Sequence, residues 1–499
     1  MTSMLSQFKS ARRVGTPLIS IKTFDAESLM QSLQKQCNSN TPICQWDCIG
    51  GLRHRNELGE DATAIALGDE PIESTQNATA MAEIAMKFPE GTILFMLNAH
   101  RFLDKHDFTQ ALWNLRDPFK SSQRTIVLLG PDFRFPVELQ QDILVLDEPL
   151  PNETELKTIV AGTVKAAKVS VPDAVIEKAV DALRGLAAFP AEQATAMSIS
   201  KAGLDIDGLW ERKRQLIQQT DGISVWNEGI KFADLGGIEA AKKRGLRIIK
   251  GRNPFRVVVW LDEGEKAMAG SASIGDTSGT SQDQLSVLLS EMQDKNYNGM
   301  LLVGVPGGAK SAFAKALAHE AGVLLIRLDL GALKGSLVGE SEHKIRQAMK
   351  IIEAVGGPGG AFFVMTSNDI RIVKPELKRR FRKGIWFFDI PTKTERDAIW
   401  PKYLNKYDVN PYRLDVDDSN WTGAEIETCV TTAWEENITL AEAAKGIIPV
   451  AVSGKEDIER LRREANGRYN SASSEGVYRY SSKQLSEEPQ GRRFAKENN

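Results

Sequence analysis

The stretch Met300–Ser311, MLLVGVPGGAKS, decides how the rest of this chain is read. Four apolar residues, Met300, Leu301, Leu302 and Val303, predict a buried strand, and Gly304, Gly307 and Gly308 make a glycine-rich turn after it. The following AFAKALAHEAG has the apolar spacing and alanine content of a helix. Strand, glycine loop and helix start are what a triphosphate requires. The loop from Gly304 through Val305, Pro306, Gly307, Gly308 and Ala309 offers backbone N–H groups. Lys310 offers an ammonium for the outer phosphates, and Ser311 a hydroxyl for magnesium, with Ala312 inside the helix start. A plain glycine turn between a strand and a helix is the alternative; the strand, loop and helix context favours nucleotide binding. The residue before the lysine, usually glycine in such loops, is Ala309, which follows the loop if it keeps a negative φ.

Upstream, RVVVWLDEGEK predicts a continuous apolar strand, Val257 to Leu261, that ends in Asp262 and Glu263. Paired acids at the carboxyl end of a buried strand are costly unless a cation or catalysis requires them. Asp262 is therefore expected in a magnesium shell with Ser311, and Glu263 is expected to orient and activate an attacking water. Downstream, AFFVMTSND is a further strand whose polar end places Asn368 near that water. The basic cluster KPELKRRFRKG contains Arg379 and Arg380, and arginine beside a phosphate site neutralises transition-state charge, often across a subunit boundary. A solvated basic face is the plainer account of such a run. The loop SASIGDTSGTS is expected to be mobile.

A chain of 499 residues exceeds one core, and 26% charged with 42% hydrophobic residues describes a soluble globular protein. The net charge of −3 argues against a surface that grips nucleic acid as a whole. Cys37, Cys44, Cys48 and Cys429 lack the histidine or fourth nearby thiol of a zinc set, so buried or free thiols in a reducing compartment are expected. No apolar run has the length of a signal peptide core or a membrane span, which points to the cytoplasm. From Thr16 to about Thr220, strand-like runs such as LISIKTF, GTILFMLNAHRFL and RTIVLLG alternate with helical ones and then give way to helices alone. This region has no glycine-lysine loop. Asn98 and His100 occupy a strand end where a hydrolase would place acids, so no chemistry is assigned to it.

Taken together, these motifs resemble the AAA clade of the AAA+ ATPases over about residues 230 to 450. FADLGG resembles the turn that covers adenine, with Asp234, Leu235 and Gly236; GVPGGAKS resembles Walker A and VVVWLDE Walker B. VMTSND is similar to sensor 1, PELKRRF to the arginine-finger segment, and WTGAEIE, with Gly423 and Ala424, to the lid motif at the nucleotide. The loop LKGSLVGESE resembles the central pore loop, with Leu337 where the family usually has an aromatic residue and Lys334 as a pore cation. The motif order is unusual, because Asp262 and Glu263 precede Lys310. This permuted arrangement is similar to an AAA family of bacteriophages and prophages, which would place the protein in the host cytoplasm. The N-terminal half resembles the degenerate AAA-like domain of an uncharacterised cyanobacterial and chloroplast family.

The resemblance implies an α/β, three-layer P-loop NTPase with a parallel sheet and a small helical lid, preceded by a degenerate AAA-like α/β domain. The expected segments are a tail (1–15), the AAA-like domain (16–150), a helical lid-like region (151–221), the permuted ATPase core (222–391), a helical lid (392–452) and a disordered tail (453–499). It also implies ATP and Mg²⁺ as ligands, self-assembly into a ring such as a hexamer, and hydrolysis that drives remodelling of a macromolecule, protein before nucleic acid. The alternatives are a nucleic-acid-associated ATPase of phage DNA metabolism and a nucleotide-gated scaffold with little hydrolysis. No HExxH protease sequence is present.

Overall fold

Strands buried on both faces need apolar side chains at every position, and that is how the central strands of this chain are written. In the computed structural model, residues 4–201, 203–226, 229–265, 280–333, 340–357, 359–372, 375–410 and 416–480 are described. They fall into two units, Met1–Asp205 and Ile206–Asn499.

The first unit holds β1 (Leu18–Lys22), β2 (Ile43–Asp47), β3 (Gly51–His54), β4 (Ile93–Leu97), β5 (Thr125–Gly130) and β6 (Leu144–Asp147). They form a six-stranded sheet in the order β3-β2-β4-β5-β1-β6. All neighbours are parallel except the β2–β3 pair. Alternate residues of β5 serve two cores: Ile126 and Leu128 pack with Trp46, Phe108 and Leu112, whereas Val127 and Leu129 pack with Phe8, Leu29 and Phe95. Three helices follow β6, Glu153–Ala166, Asp173–Leu183 and Ala188–Ser198, and then the short antiparallel pair β7 (Ile199–Ser200) and β8 (Gly203–Leu204).

The boundary at 205/206 differs from the expected 221/222. The helix Ile206–Gln218 sends Ile217 into the core of the second unit, and β9 (Ile223–Trp226) pairs antiparallel with a strand of its sheet. That sheet also contains β10 (Val257–Leu261), β11 (Asn298–Gly304), β12 (Leu324–Leu328), β13 (Ala361–Ser367), β14 (Ile385–Phe388) and β15 (Asn470–Ser471). The order of its seven strands is β15-β14-β11-β13-β10-β12-β9. Apart from the β9–β12 pair, all neighbours are parallel. Because β13 lies between β10 and β11, with Met365 opposite both Leu261 and Leu301, the carboxyl ends of the three strands are nearly flush. Loops leaving them therefore meet at one edge.

The lid helices Lys393–Tyr407, Gly423–Glu435 and Leu440–Ala444 close on a core that includes Trp400, Trp421, Ile426 and Val430. Each begins with a capping box, at Thr392 and Glu395, Thr422 and Glu425, and Thr439 and Glu442. The segment after 453, expected to be disordered, is ordered as far as residue 480: Lys455–Ala465 is a helix, and β15 lies parallel to β14. Of its apolar residues, Ile458, Leu461, Ala465, Tyr469, Ala472 and Tyr478 are buried and Val477 is exposed, so a polar composition hid an apolar face. Residues 481–499 of that expectation lie outside the described residues, as does the loop SASIGDTSGTS up to residue 279. The four cysteines are free thiols. Among the described residues, no helix is long and apolar enough to cross a membrane.

Candidate functional site

At the carboxyl edge of the second sheet lies a cavity of about 350 Å³, and most of the residues singled out from the sequence line it. Its floor is the glycine loop between β11 and the helix Lys310–Ala321. Two glycines there are dictated by close approach: a Cβ on Gly304 would lie 2.0 Å from Phe388 O, and one on Gly307, at φ +74°, 2.6 Å from Thr422 Oγ1 of the lid. Ala309 does not keep the negative φ expected of it. It sits at φ +66°, in the left-handed region. Alternating backbone handedness turns successive N–H groups into one concavity, and this arrangement holds despite a cost of about 1–2 kcal/mol for a residue with a Cβ.

Lys310 is buried, and its Nζ donates to Gly304 O at 3.0 Å and Val305 O at 2.6 Å. Burial lowers its pKa to about 8, against the opposing pull of Glu265 and Asp262. The loop's own carbonyls thus hold the ammonium at the place where phosphate oxygens would meet it.

The next wall is built at the end of β10. Ser311 Oγ donates to Asp262 Oδ1 at 3.1 Å, and Thr366 Oγ1, from β13, donates to the same oxygen at 2.7 Å. Hydroxyl and carboxylate oxygens this close form a hard donor pair of the kind that would hold magnesium. Arg327, on β12, brings Nη2 to 3.7 Å from Asp262 Oδ2 and lays its guanidinium over the Trp260 ring, 5.4 Å from the centroid. Glu263 adopts φ +50°, and its N–H donates to Thr366 Oγ1 at 3.2 Å. Asn368 donates through its backbone N and its Nδ2 to Glu265, at 3.3 and 3.2 Å.

The far end of the cavity is lined by Asp234, Leu235 and Gly236 together with Gly423 and Ala424 of the lid. The Asp234 carboxylate accepts from Lys231 N at 2.8 Å, so it fixes its own turn. A Cβ on Gly236 would meet Ile399 Cγ1 at 2.2 Å, which sets how closely turn and lid approach. Pro306, Gly308 and Ala312 also line the cavity. Arg379 and Arg380 do not; Arg379 is exposed, and Arg380 donates through Nη2 to Gln293 within its own unit. Lys334 and Leu337 of the pore-loop expectation lie outside the described residues.

Several residues at or beside this site escaped the sequence reading, Asp389 and Tyr403 among them. Arg327 had a signal, a lone charge within the apolar strand LLIRL. Glu265 had one too, an acid two places after the pair. Thr366 is a neighbour of the singled-out Asn368. Ser473, which lines the cavity from the C-terminal segment, had no local signal.

A parallel sheet with a glycine loop opening a helix at its carboxyl edge, acids on the strand beyond its neighbour and a helical lid over the loop define a P-loop NTPase of the AAA+ type. Comparison with known families agrees: residues 300–359 match the ATPase family associated with various cellular activities (AAA). Residues 4–148 match the N-terminal domain, and 154–220 the second domain, of the SpoVK-like AAA ATPases. These matches, with the fold, support an AAA+ ATPase that has a degenerate AAA-like domain ahead of its core. Among its relatives, an "Uncharacterized AAA domain-containing protein ycf46" from Guillardia theta is 25% identical, over 92% of this chain and 94% of the relative. The protein of the same description from Trieres chinensis is 24% identical over 92% and 96%. A shorter likeness, 32% identity over 14% of this chain and 9% of the relative, links it to the human "ATPase family gene 2 protein homolog B".

Proposed function

We propose that this protein binds ATP with Mg²⁺, hydrolyses it, and works as an oligomer that remodels protein substrates. The observation that carries the proposal is the convergence of Lys310, Ser311, Asp262, Glu263 and Asn368 on one cavity that also reaches the turn at Asp234 and the lid at Gly423. Triphosphate oxygens replace Gly304 O and Val305 O as partners of the Lys310 ammonium, which restores the charge that burial disfavours. Ser311 and Asp262 would hold the magnesium ion, which would supply charge neutralisation on the outer phosphates.

Glu263 orients a water and takes its proton as the oxygen forms its bond to the terminal phosphorus and the bond to the ADP oxygen breaks. Asn368, held by Glu265, positions the same water. Arg380, with Arg379 beside it, is assigned to a neighbouring subunit's nucleotide, since neither lines the cavity of its own chain.

The test is ATP turnover measured alone and then with unfolded protein, single-stranded DNA or duplex DNA; stimulation by unfolded protein alone is expected. Mixing Arg380→Ala with Glu263→Gln subunits is expected to restore activity above the sum of the two variants, because one interface then holds a good glutamate and a good arginine. Mixtures that never exceed that sum would refute the shared site.

A further inference from the structure

The chain does not end at the lid. It returns to the core along a path that touches the lid helix, the glycine loop and the helix after the Asp234 turn. Leaving the lid, Val450 N donates to Glu425 Oε1, the glutamate that caps the lid helix bearing Gly423 and Ala424. In the helix Lys455–Ala465, Ile458 is buried against Val305 of the glycine loop and Ile390 at the entry to the lid. The chain then forms β15 beside β14, and the next residue, Ala472, donates to Phe387 O and accepts from Ala241 N, both at 3.0 Å. Ala241 lies in the first turns of the helix that follows the Asp234 turn. Ser473 comes next and lines the cavity between the two.

One carboxylate fastens this return. Asp389, itself a cavity residue just before the lid, accepts from Arg462 Nε at 2.8 Å and from Tyr478 O–H at 2.6 Å. Arg462 stands before Ser473 and Tyr478 after it, so the clasp holds the segment on both sides of the residue that faces the cavity.

We infer that residues 455–478 are a working wall of the nucleotide site, in which Ser473 meets the base of the bound nucleoside triphosphate and the Asp389 clasp holds it there. This rests on the nucleotide reading above. A serine hydroxyl both donates and accepts, so it can pair with the mixed donor and acceptor edge of a base. Ala472 is bonded to Ala241 of the helix after the Asp234 turn, which sets Ser473 beside the turn and assigns it to the base and not to the phosphates. Both contributions can be read separately with inorganic tripolyphosphate, which has the charges of the nucleotide tail and no base.

The experiment compares the affinity of the full chain for ATP and for tripolyphosphate in wild type, Ser473→Ala, Ser473→Trp and Tyr478→Phe, with a thermal melt as the folding control. Ser473→Trp should weaken ATP by more than about tenfold through overfilling the base end, and leave tripolyphosphate unchanged. Ser473→Ala and Tyr478→Phe, which remove a single hydrogen bond each, should weaken ATP by about threefold, again without effect on tripolyphosphate. If Ser473→Trp fails the melt, the two mild variants decide.

ATP affinity unchanged in all folded variants would overturn the wall. Equal losses for ATP and tripolyphosphate would overturn the role of Ser473 at the base. A wild type that binds neither ligand would overturn the nucleotide reading itself, a result distinct from both.

Discussion

The two units are built on sheets of the same plan and differ at the edge where chemistry is done. Position by position, β6-β1-β5-β4-β2-β3 corresponds to β14-β11-β13-β10-β12-β9, down to the antiparallel strand at the outer edge. In the second unit the strand at the phosphate-loop position is followed by Val305–Ala309 and a helix N-terminus with no side-chain cap. In the first, only Thr23, Phe24 and Asp25 separate β1 from its helix, and the Asp25 carboxylate accepts from Ser28 N at 3.1 Å. A loop so short cannot wrap a phosphate, and the helix end already holds an anion. Lys22 is paired with Asp132 at 3.0 Å, and Glu148 is tied to Thr23. At the end of β4, Asn98 stands first, as Asp262 does at the end of β10. A fold is thus kept while its anion site is closed by a shortened loop and a reversed charge.

The sharpest way to break this comparison is a matched pair of substitutions. Glu263→Gln should lower kcat by ~10²-fold or more while ATP binding is kept, the scale of a lost general base. Asn98→Ala, at the equivalent edge of the first unit, should leave turnover at the wild-type rate. A turnover loss in the second variant, in a steady-state phosphate-release assay, would mean that the first unit takes part in the chemistry.

Next in size, Lys310→Ala should weaken ATP by roughly 100-fold, about 2.7 kcal/mol, as one charge-assisted contact is lost. Lys22→Ala should not change the affinity or the stoichiometry seen by calorimetry; a drop in stoichiometry would reveal a second site.

The units should also respond to pH with opposite slopes. Burial lowers Lys310 to about 8 from an ordinary 10.5, so unfolding takes up a proton between those values and the nucleotide-free second unit gains stability as pH rises through them. Burial raises the Glu148 carboxyl above its ordinary 4.5, so folding takes up a proton there and the first unit loses stability as pH climbs from 4.5 through the raised value. Denaturant unfolding followed against pH should show Lys310→Met flattening the first slope, an effect on the order of 3 kcal/mol, and Glu148→Gln flattening the second. Slopes that survive these substitutions would assign them to other groups.

The smallest effect is Ala309→Gly. It relieves the left-handed strain and should stabilise the second unit by about 1 kcal/mol, seen as a raised denaturation midpoint. A destabilised variant would mean that the Ala309 methyl packs for more than the strain costs.

Much of this was legible in the sequence where chemistry is local in the chain. Met300–Ser311 announced strand, loop and helix together, and the run Val257–Leu261 could only be a buried strand. Partners supplied by neighbouring strands were not legible. Thr366 and Arg327 meet Asp262 because β13 and β12 flank β10, a fact of topology that no spacing encodes. The conformation of Ala309 was misjudged because intrinsic preference argues for negative φ and the loop overrides it. The ordered return after 453 was missed because its burial depends on the edge of β14, which a polar composition does not disclose.

The exchanged strand order has a consequence for synthesis. In the order in which pairing partners leave the ribosome, the first unit can join β3, β2 and β4 first, then β5 to β1, and β6 last. In the second unit β9, β10 and β11 have no pairing partner before β12, which can join β9 to β10; β13 can then join β11, with β14 and β15 after it. In spatial terms the two sheets fill in the same sequence, from the antiparallel edge inward. The exchange moves strands along the message without changing the order in which their positions are occupied, and in both cases the strand that leads into the phosphate-loop position is secured late, against a template already built.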